Sequence, residues 1–353
     1  MTAQPLLARR LWEAVEPLHA VVYFAPEPAE AAREVGLKGY WMGYFAGRLS
    51  AVGPVGAGVG SALCFAFAPG KVARALPDAW SFATAEAVLE SRLAAVEKML
   101  GRLLKPLRPS ELDQLTGLLE ALVDTCDFDG RALAAAWADV PRPDSLLVRL
   151  WLAATVLREH RGDGHVMALA REGLGGLAAG ITHVAAGAVT RESIQGSRGW
   201  TDEEWELGSA KLRRKGLLDA EGGLTPAGQE LRTRVEADTD RLASHAVIRA
   251  EAATTAIALA APVSRALLTS GALPPVNPIG LPAPADPPAG QPSAPVREGH
   301  RPGTAAAFAG SAGVAGTRLT CVYLAERSAP GGGRHASPVP RGSFRAPCWR
   351  WVR

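Results

Sequence analysis

The chain has 353 residues, 48% hydrophobic and 21% charged, which gives room for two domains with real cores and matches the composition of a soluble globular protein. The formal charge of +3 is unevenly placed. Residues from Pro287 onward carry nine Arg, two Glu and no Lys, a net +7, so residues 1–286 sum to −4 and non-specific attraction to nucleic acid or membrane is not expected of the folded part. Cys64, Cys126, Cys321 and Cys348 form no CxxC pair, which argues against a zinc knuckle or disulfide framework and for a reducing cytoplasm.

The N-terminus carries Arg9, Arg10, Glu13 and Glu16, which break any signal-peptide apolar region. Leu7, Leu11, Val15, Leu18 and Val22 recur at helical spacing and predict a helix over 6–24, with Pro17 as a kink position. A short helix over 25–37 and a Tyr/Trp-rich one over 38–53 follow. No charge occurs between Arg48 and Lys71, a span long enough for a membrane helix. Gly53, Pro54, Gly56, Gly58, Gly60 and Pro69 make it Ala/Gly-rich and broken, so a buried helix is the expectation and no membrane partner is inferred. Residues 82–104 are clearly amphipathic, Ser110 is placed as the cap of the next helix, and residues 128–140 form another. The Pro-rich "PRPD" at 141–144 marks a domain boundary.

Beyond it, residues 145–160 are strongly apolar, and 164–174 and 176–189 follow as helices. Thr201 with Glu204 three residues on is a well-formed capping box for a helix ending near Lys215 and Gly216. "LLDAEGGLT" (217–225) predicts two short strands, and Pro226 opens a long helix. Helix, short hairpin, helix is the order of a winged helix-turn-helix. After residue 268 the periodicity collapses. The rest reads as a disordered tail, and its arginine excess also fits a reading-frame change near residue 281.

The segments "EPLHAVVYFAPE" (16–27), "GYFAGR" (43–48), "FAPGKVARALPDAW" (67–80), "LREHRGDGHVMAL" (157–169), "SRGWTDEEW" (197–205) and "NPIGL" (277–281) resemble an actinobacterial helix-turn-helix family of largely unknown function. "LRRKGLL…GGLTPAGQELRTRV" is similar to a MarR-like winged-helix module. The resemblance, which does not cover 286–353, implies a mainly α protein with an N-terminal helical domain (1–140) and a winged-helix-like domain with a short β-hairpin and a long C-terminal helix (145–268); composition adds the tail (269–353). It implies no established reaction.

Two uses of the winged helix stay open. Lys211, Arg213, Arg214 and Lys215 are the candidate DNA contacts. Against them stand Asp202, Glu203, Glu204 and Glu206 in the first turns, a net charge of −3 over 200–244, and a wing with no basic residue. The other use is packing, homodimerisation or ligand enclosure. "GAGVGSA" (56–62) follows no strand and has Ser61 in the third glycine position, so no dinucleotide cofactor is inferred.

Two places are candidates for a small-molecule ligand. His19 and Tyr23, and Tyr40 and Tyr44, are i,i+4 pairs; the first reading is a core with amphipathic rings. The second is an aromatic-walled pocket of Tyr23 and Tyr44, with His19 and Arg48 orienting the ligand. His183 reads as a core histidine. The other place is "HRGDGHV" (160–166). His160 and His165 are about 140° apart on a helix, so no metal is inferred. The glycines predict a corner: a helix ending near His160, Gly162 left-handed, and Asp163 capping the next helix. The two helix dipoles then favour a charged His160 and a neutral His165, with Asp163 beside them. The leading reading is a cytoplasmic, small-molecule-responsive regulatory protein. The alternative is a ligand-binding accessory protein or enzyme of specialised metabolism that uses the same residues.

Overall fold

The computed structural model describes residues 3–274 together with Asn277 and Ile279. From residue 280 onward the expected tail lies outside the described residues, as does the frame change expected there.

The N-terminal part is a run of helices whose starts follow from proline and cap chemistry. α1 (Ala3–Ala20) passes through Pro17 and buries Leu11, Val15 and Leu18 on one face, then tightens into a 3-10 turn (Val21–Tyr23). α2 (Pro26–Glu34), α3 (Gly39–Leu49), α4 (Ala57–Leu63), α5 (Pro69–Ala73) and α6 (Ala79–Phe82) are short. The uncharged 49–70 span is thus broken into small helices and loops. α7 (Ala85–Leu103) is capped by Thr84, which accepts from the Ala87 amide at 3.2 Å. α8 is Pro109–Val123 and α9 is Ala132–Ala138. α8 begins at Pro109, so Ser110 is its second residue and not its cap. Proline's fixed φ and missing N–H suit the first helical position, and Arg108 takes the cap place.

α10 (Leu146–Arg171) overturns the expected corner. It is one 26-residue helix that runs straight through "HRGDGHV", and Gly162 is helical, not left-handed. Two helical glycines cost about 1 kcal/mol each. The burial of Trp151, Leu157, His160, Arg161 and Leu169 along the same helix outweighs that cost. The opposed dipoles at His160 and His165 therefore do not exist.

α11 (Gly176–Ala185), α12 (Arg191–Arg198), α13 (Asp202–Arg214) and α14 (Pro226–Leu242) follow. Both halves of the Thr201–Glu204 capping box are present. The winged β-hairpin is absent: residues 217–225 hold one antiparallel bridge, Leu218 to Leu224, and no strand. The reason is length. Asp219 accepts from the Gly223 amide at 2.7 Å and closes the loop before a ladder can extend. A 3-10 turn (Ser244–Val247) and α15 (Ala250–Thr269) complete the described chain. α15 is long and apolar enough to cross a membrane, yet Ala253, Ala256, Ala260, Val263 and Leu267 are buried as it packs on α1 and α8.

Two apolar cores result. The first joins α1–α9, the start of α10, and α15 around Phe45, Met99, Trp137 and Trp151. The second joins the end of α10 to α11–α14 around Ile181, Ile194, Trp205, Leu212 and Val235. The first core includes Leu150–Leu157 and Ala243–Leu273, so it takes up both ends of the segment 145–268, and α10 passes from one core into the other.

Candidate functional site

Where α10 leaves the first core its sequence turns charged: Arg158, Glu159, His160, Arg161 and Asp163. A cavity of about 310 Å³ opens beside it. Its walls come from α1 (Trp12, Glu16), α3 (Arg48), residues 63–67, α10, α11 (Ala179, Gly180, His183), α12 (Ile194, Arg198) and α14 (Arg232, Glu236). Members of both cores line it.

Glu159 is the hub of the first-core side. It is 1% exposed, and its Oε2 accepts from Arg48 Nη2 at 3.0 Å and Arg158 Nη1 at 2.8 Å. Burial alone would raise its carboxyl pKa; Arg158 and Arg48 hold it below the ordinary value. Arg158 also reaches Glu16 at 3.4 Å, and Glu16 accepts from the Trp12 indole at 2.6 Å. On the second-core side, Arg232 pairs with Glu236 at 3.1 Å. Arg161 bonds Asp240 at 3.0 Å and lies 4.6 Å over the Trp12 ring.

His19, Tyr23, Tyr44 and Arg48 come together in one network. His19 Nδ1 is 3.0 Å from Thr155 Oγ1 and its Nε2 is 3.1 Å from the Tyr23 hydroxyl. Burial, then Arg158, Arg48 and Arg92, hold its imidazole well below the ordinary value. Tyr23 and Tyr44 rings are 4.9 Å apart, and Tyr44 accepts from Arg48 Nη1 at 3.3 Å. Of the four only Arg48 lines the cavity; Phe67 is the aromatic neighbour that reaches it.

The three residues of "HRGDGHV" diverge. His165 lines the cavity, with Nδ1 2.9 Å from Thr239 Oγ1. That hydroxyl donates to Val235 O at 2.7 Å, so Nδ1 of His165 carries the proton. Burial pushes its imidazole down to about 4. His160 does not line the cavity. Its Nε2 donates to the Asp127 carbonyl at 3.0 Å, and burial, then Arg131, push it down to about 4 as well. The expected charged His160 is therefore replaced by a neutral one, because burial dominates. Asp163 caps a helix, but not the next one in the chain: its Oδ2 accepts from the Leu133 and Ala134 amides, at 3.1 and 3.0 Å, at the start of α9.

Sequence reasoning missed Glu159, Arg158, Arg161, Arg198, Arg232 and Glu236. A run of ionisable residues inside an apolar helix was the available signal for the α10 members.

A strip over residues 64–71 joins this site to α11, to α12 and to the turn that follows it. Cys64–Phe67 form a cavity wall. The Ala68 amide donates to Arg198 O at 3.0 Å, and the Trp200 indole donates to Ala66 O at 3.1 Å. Lys71 donates to Ser197 O at 2.7 Å and sits 3.5 Å over the Trp41 ring; burial, then Arg198, lower its amine to about 8. Gly176, at the start of α11, packs so closely on the Phe65 carbonyl that a Cβ there would clash. α12, a turn at the left-handed Gly199, and α13 form a helix–turn–helix pair whose turn is seated on this strip. A model of a helix-turn-helix family matches residues 8–274. The chain belongs to that helix-turn-helix family. No curated protein and no solved structure matches it.

In the helix-turn-helix, Lys211, Arg213, Arg214 and Lys215 are exposed at the end of α13. Arg213 also donates to the Asp219 carbonyl at 3.3 Å, which ties it to the 217–225 turn. The acidic start of α13 is partly neutralised from within: Arg191 of α12 bonds Glu206 at 2.8 Å and Asp202 at 3.2 Å, and Glu204 is held in the capping box.

Proposed function

We propose that this protein is a small-molecule-responsive, DNA-binding regulatory protein. Its helix-turn-helix meets the duplex through α13, and the cavity takes the ligand. The family supports the DNA-binding part. One observation carries the rest: residues 64–67 are a wall of the cavity, and residues 66–71 seat the helix-turn-helix turn. A ligand that shifts that wall shifts the seat of α12 and α13, which is the kind of two-state element a coupled response needs.

Selection of duplexes from a random-sequence pool tests the DNA arm. The expected outcome is an enriched sequence bound with salt-dependent affinity. Replacing Lys211, Arg214 and Lys215 by Gln lowers the salt slope by about one for each lost phosphate contact. An unenriched pool counts against this arm. The second reading, a ligand-binding accessory protein, is favoured by the net −3 charge over 200–244 and by Glu203 and Glu221 standing exposed on α13 and the following turn.

A further inference from the structure

α13 buries Trp205, Ser209 and Leu212 on one face and turns another to solvent. Glu203, Leu207, Ala210, Lys211 and Arg214 share that outer stripe, within about 100° of one another around the helix. Four of them are exposed and Ala210 is half-buried. Leu207 is 65% exposed, more than any other large apolar side chain among the described residues. The side chains of Glu203, Lys211 and Arg214 make no ion pair or hydrogen bond among the described residues.

The order of residues along α13 is self-complementary. Counted outward from its middle, between Gly208 and Ser209, Leu207 mirrors Ala210. The acids Glu206, Glu204, Glu203 and Asp202 mirror the bases Lys211, Arg213, Arg214 and Lys215 in turn. The helix dipole accounts for acids first and bases last. It does not account for a bare leucine at the centre whose mirror position holds a small alanine. Of the mirrored pairs, Leu207 with Ala210 and Glu203 with Arg214 lie on the outer stripe.

We propose that α13 is a homodimer contact. It packs antiparallel on α13 of a second copy, about a two-fold axis beside Gly208 and Ser209. Each Leu207 seats on Ala210 of the other copy, and each Glu203 pairs with Arg214 of the other copy. A two-fold contact requires one surface that complements itself, residue i meeting j and j meeting i, and this stripe meets that condition. Burial of Leu207 supplies attraction, and the charge pairs set direction, because parallel packing places like charges together. A single helix pair is a small contact, so association is reversible and depends on concentration. The proposal goes beyond the DNA reading and limits it: α13 cannot lie in a groove and on a second copy at once, so self-association withholds it from DNA.

Sedimentation equilibrium of the full chain, from micromolar to submillimolar concentration, tests it. The wild-type chain is expected to pass from monomer to dimer over that range. Glu203→Arg sets arginines face to face and weakens the dimer at least tenfold, and Arg214→Glu does the same with two carboxylates. The double variant carrying Glu203→Arg and Arg214→Glu rebuilds the pair with its ends exchanged and restores the dimer to near wild-type strength. Leu207→Glu leaves a monomer. All three positions are exposed, and unchanged thermal melting verifies that each variant is folded. A wild-type chain that stays monomeric, a dimer indifferent to Leu207→Glu, or a double variant no stronger than the single ones overturns the proposal. A monomeric chain that binds its selected duplex overturns it and leaves the DNA reading standing. A dimer that the double variant restores stands even where no duplex is selected.

Discussion

The two halves of α10 are built on opposite terms. From Leu150 to Leu157 the helix is buried among α1, α7, α8 and α9 and apolar but for Thr155, with Trp151 edge-on to Trp137 at 5.5 Å. From Arg158 to His165 it is just as continuous, but its buried groups are Glu159, His160 and Arg161. The first half is held by displaced water and close packing. The second is held by ion pairs and hydrogen bonds that must all be made, since a buried charge without its partner is costly. Stability is concentrated in the first half, whereas chemistry and a cavity are concentrated in the second.

The largest expected effects come from removing one keystone on each side. Trp151→Ala and Glu159→Ala are each expected to cost about 3–5 kcal/mol in urea unfolding, one by a cavity and one by stranding Arg48 and Arg158. The halves separate when the partner is changed too. Glu159→Met together with Arg48→Met recovers much of the loss, while no second change of that kind rescues Trp151→Ala. A double variant no better than Glu159→Ala breaks the contrast.

The second half also makes stability depend on pH. His160 and His165 ordinarily titrate at 6.5 and fall to about 4 in the folded chain. Between those values the unfolded chain binds more protons, so stability is full above about pH 6.5 and declines as pH falls toward 4. Urea midpoints at pH 7.5 and 5 check the direction. NMR signals assigned to His160 and His165 that titrate near 6.5 would falsify the burial argument.

The smallest effects distinguish the two glycines. A Cβ on Gly162 meets Glu159 Oε2 at 3.4 Å, an ordinary contact, so Gly162→Ala is expected to stabilise by about 0.4–1 kcal/mol, the gain alanine brings inside a helix. A Cβ on Gly164 comes within 3.2 Å of Leu242 Cβ on α14, so Gly164→Ala is expected to lower the melting temperature. If Gly162→Ala lowers it too, the helix is not continuous in solution.

Local signals were legible in the sequence. The Thr201–Glu204 box, Pro226 at a helix start and the apolar spacing of α1 depend on neighbours within a few residues, and each appears as read. His19 and Tyr23, four residues apart, meet at 3.1 Å. The contact from Arg48 to Glu159 spans 111 residues, and no local pattern announces it. The glycines of "HRGDGHV" misled because their helix cost is local and visible, while the packing that outweighs it comes from α1, α9 and α14. The turn at 217–225 carries strand-like residues but too few to build a ladder once Asp219 closes it.

The claim that the cavity speaks to the helix-turn-helix is tested most directly by one coupling measurement. Fluorescence anisotropy of the selected duplex, with and without a saturating small molecule found by screening against the full chain, compares the wild-type chain with Ala179→Leu, which narrows the cavity. The expected result is a change in wild-type DNA affinity of about 5–150-fold, the usual range of coupling between sites, and little change in the variant. An unchanged wild-type affinity under saturating ligand contradicts it.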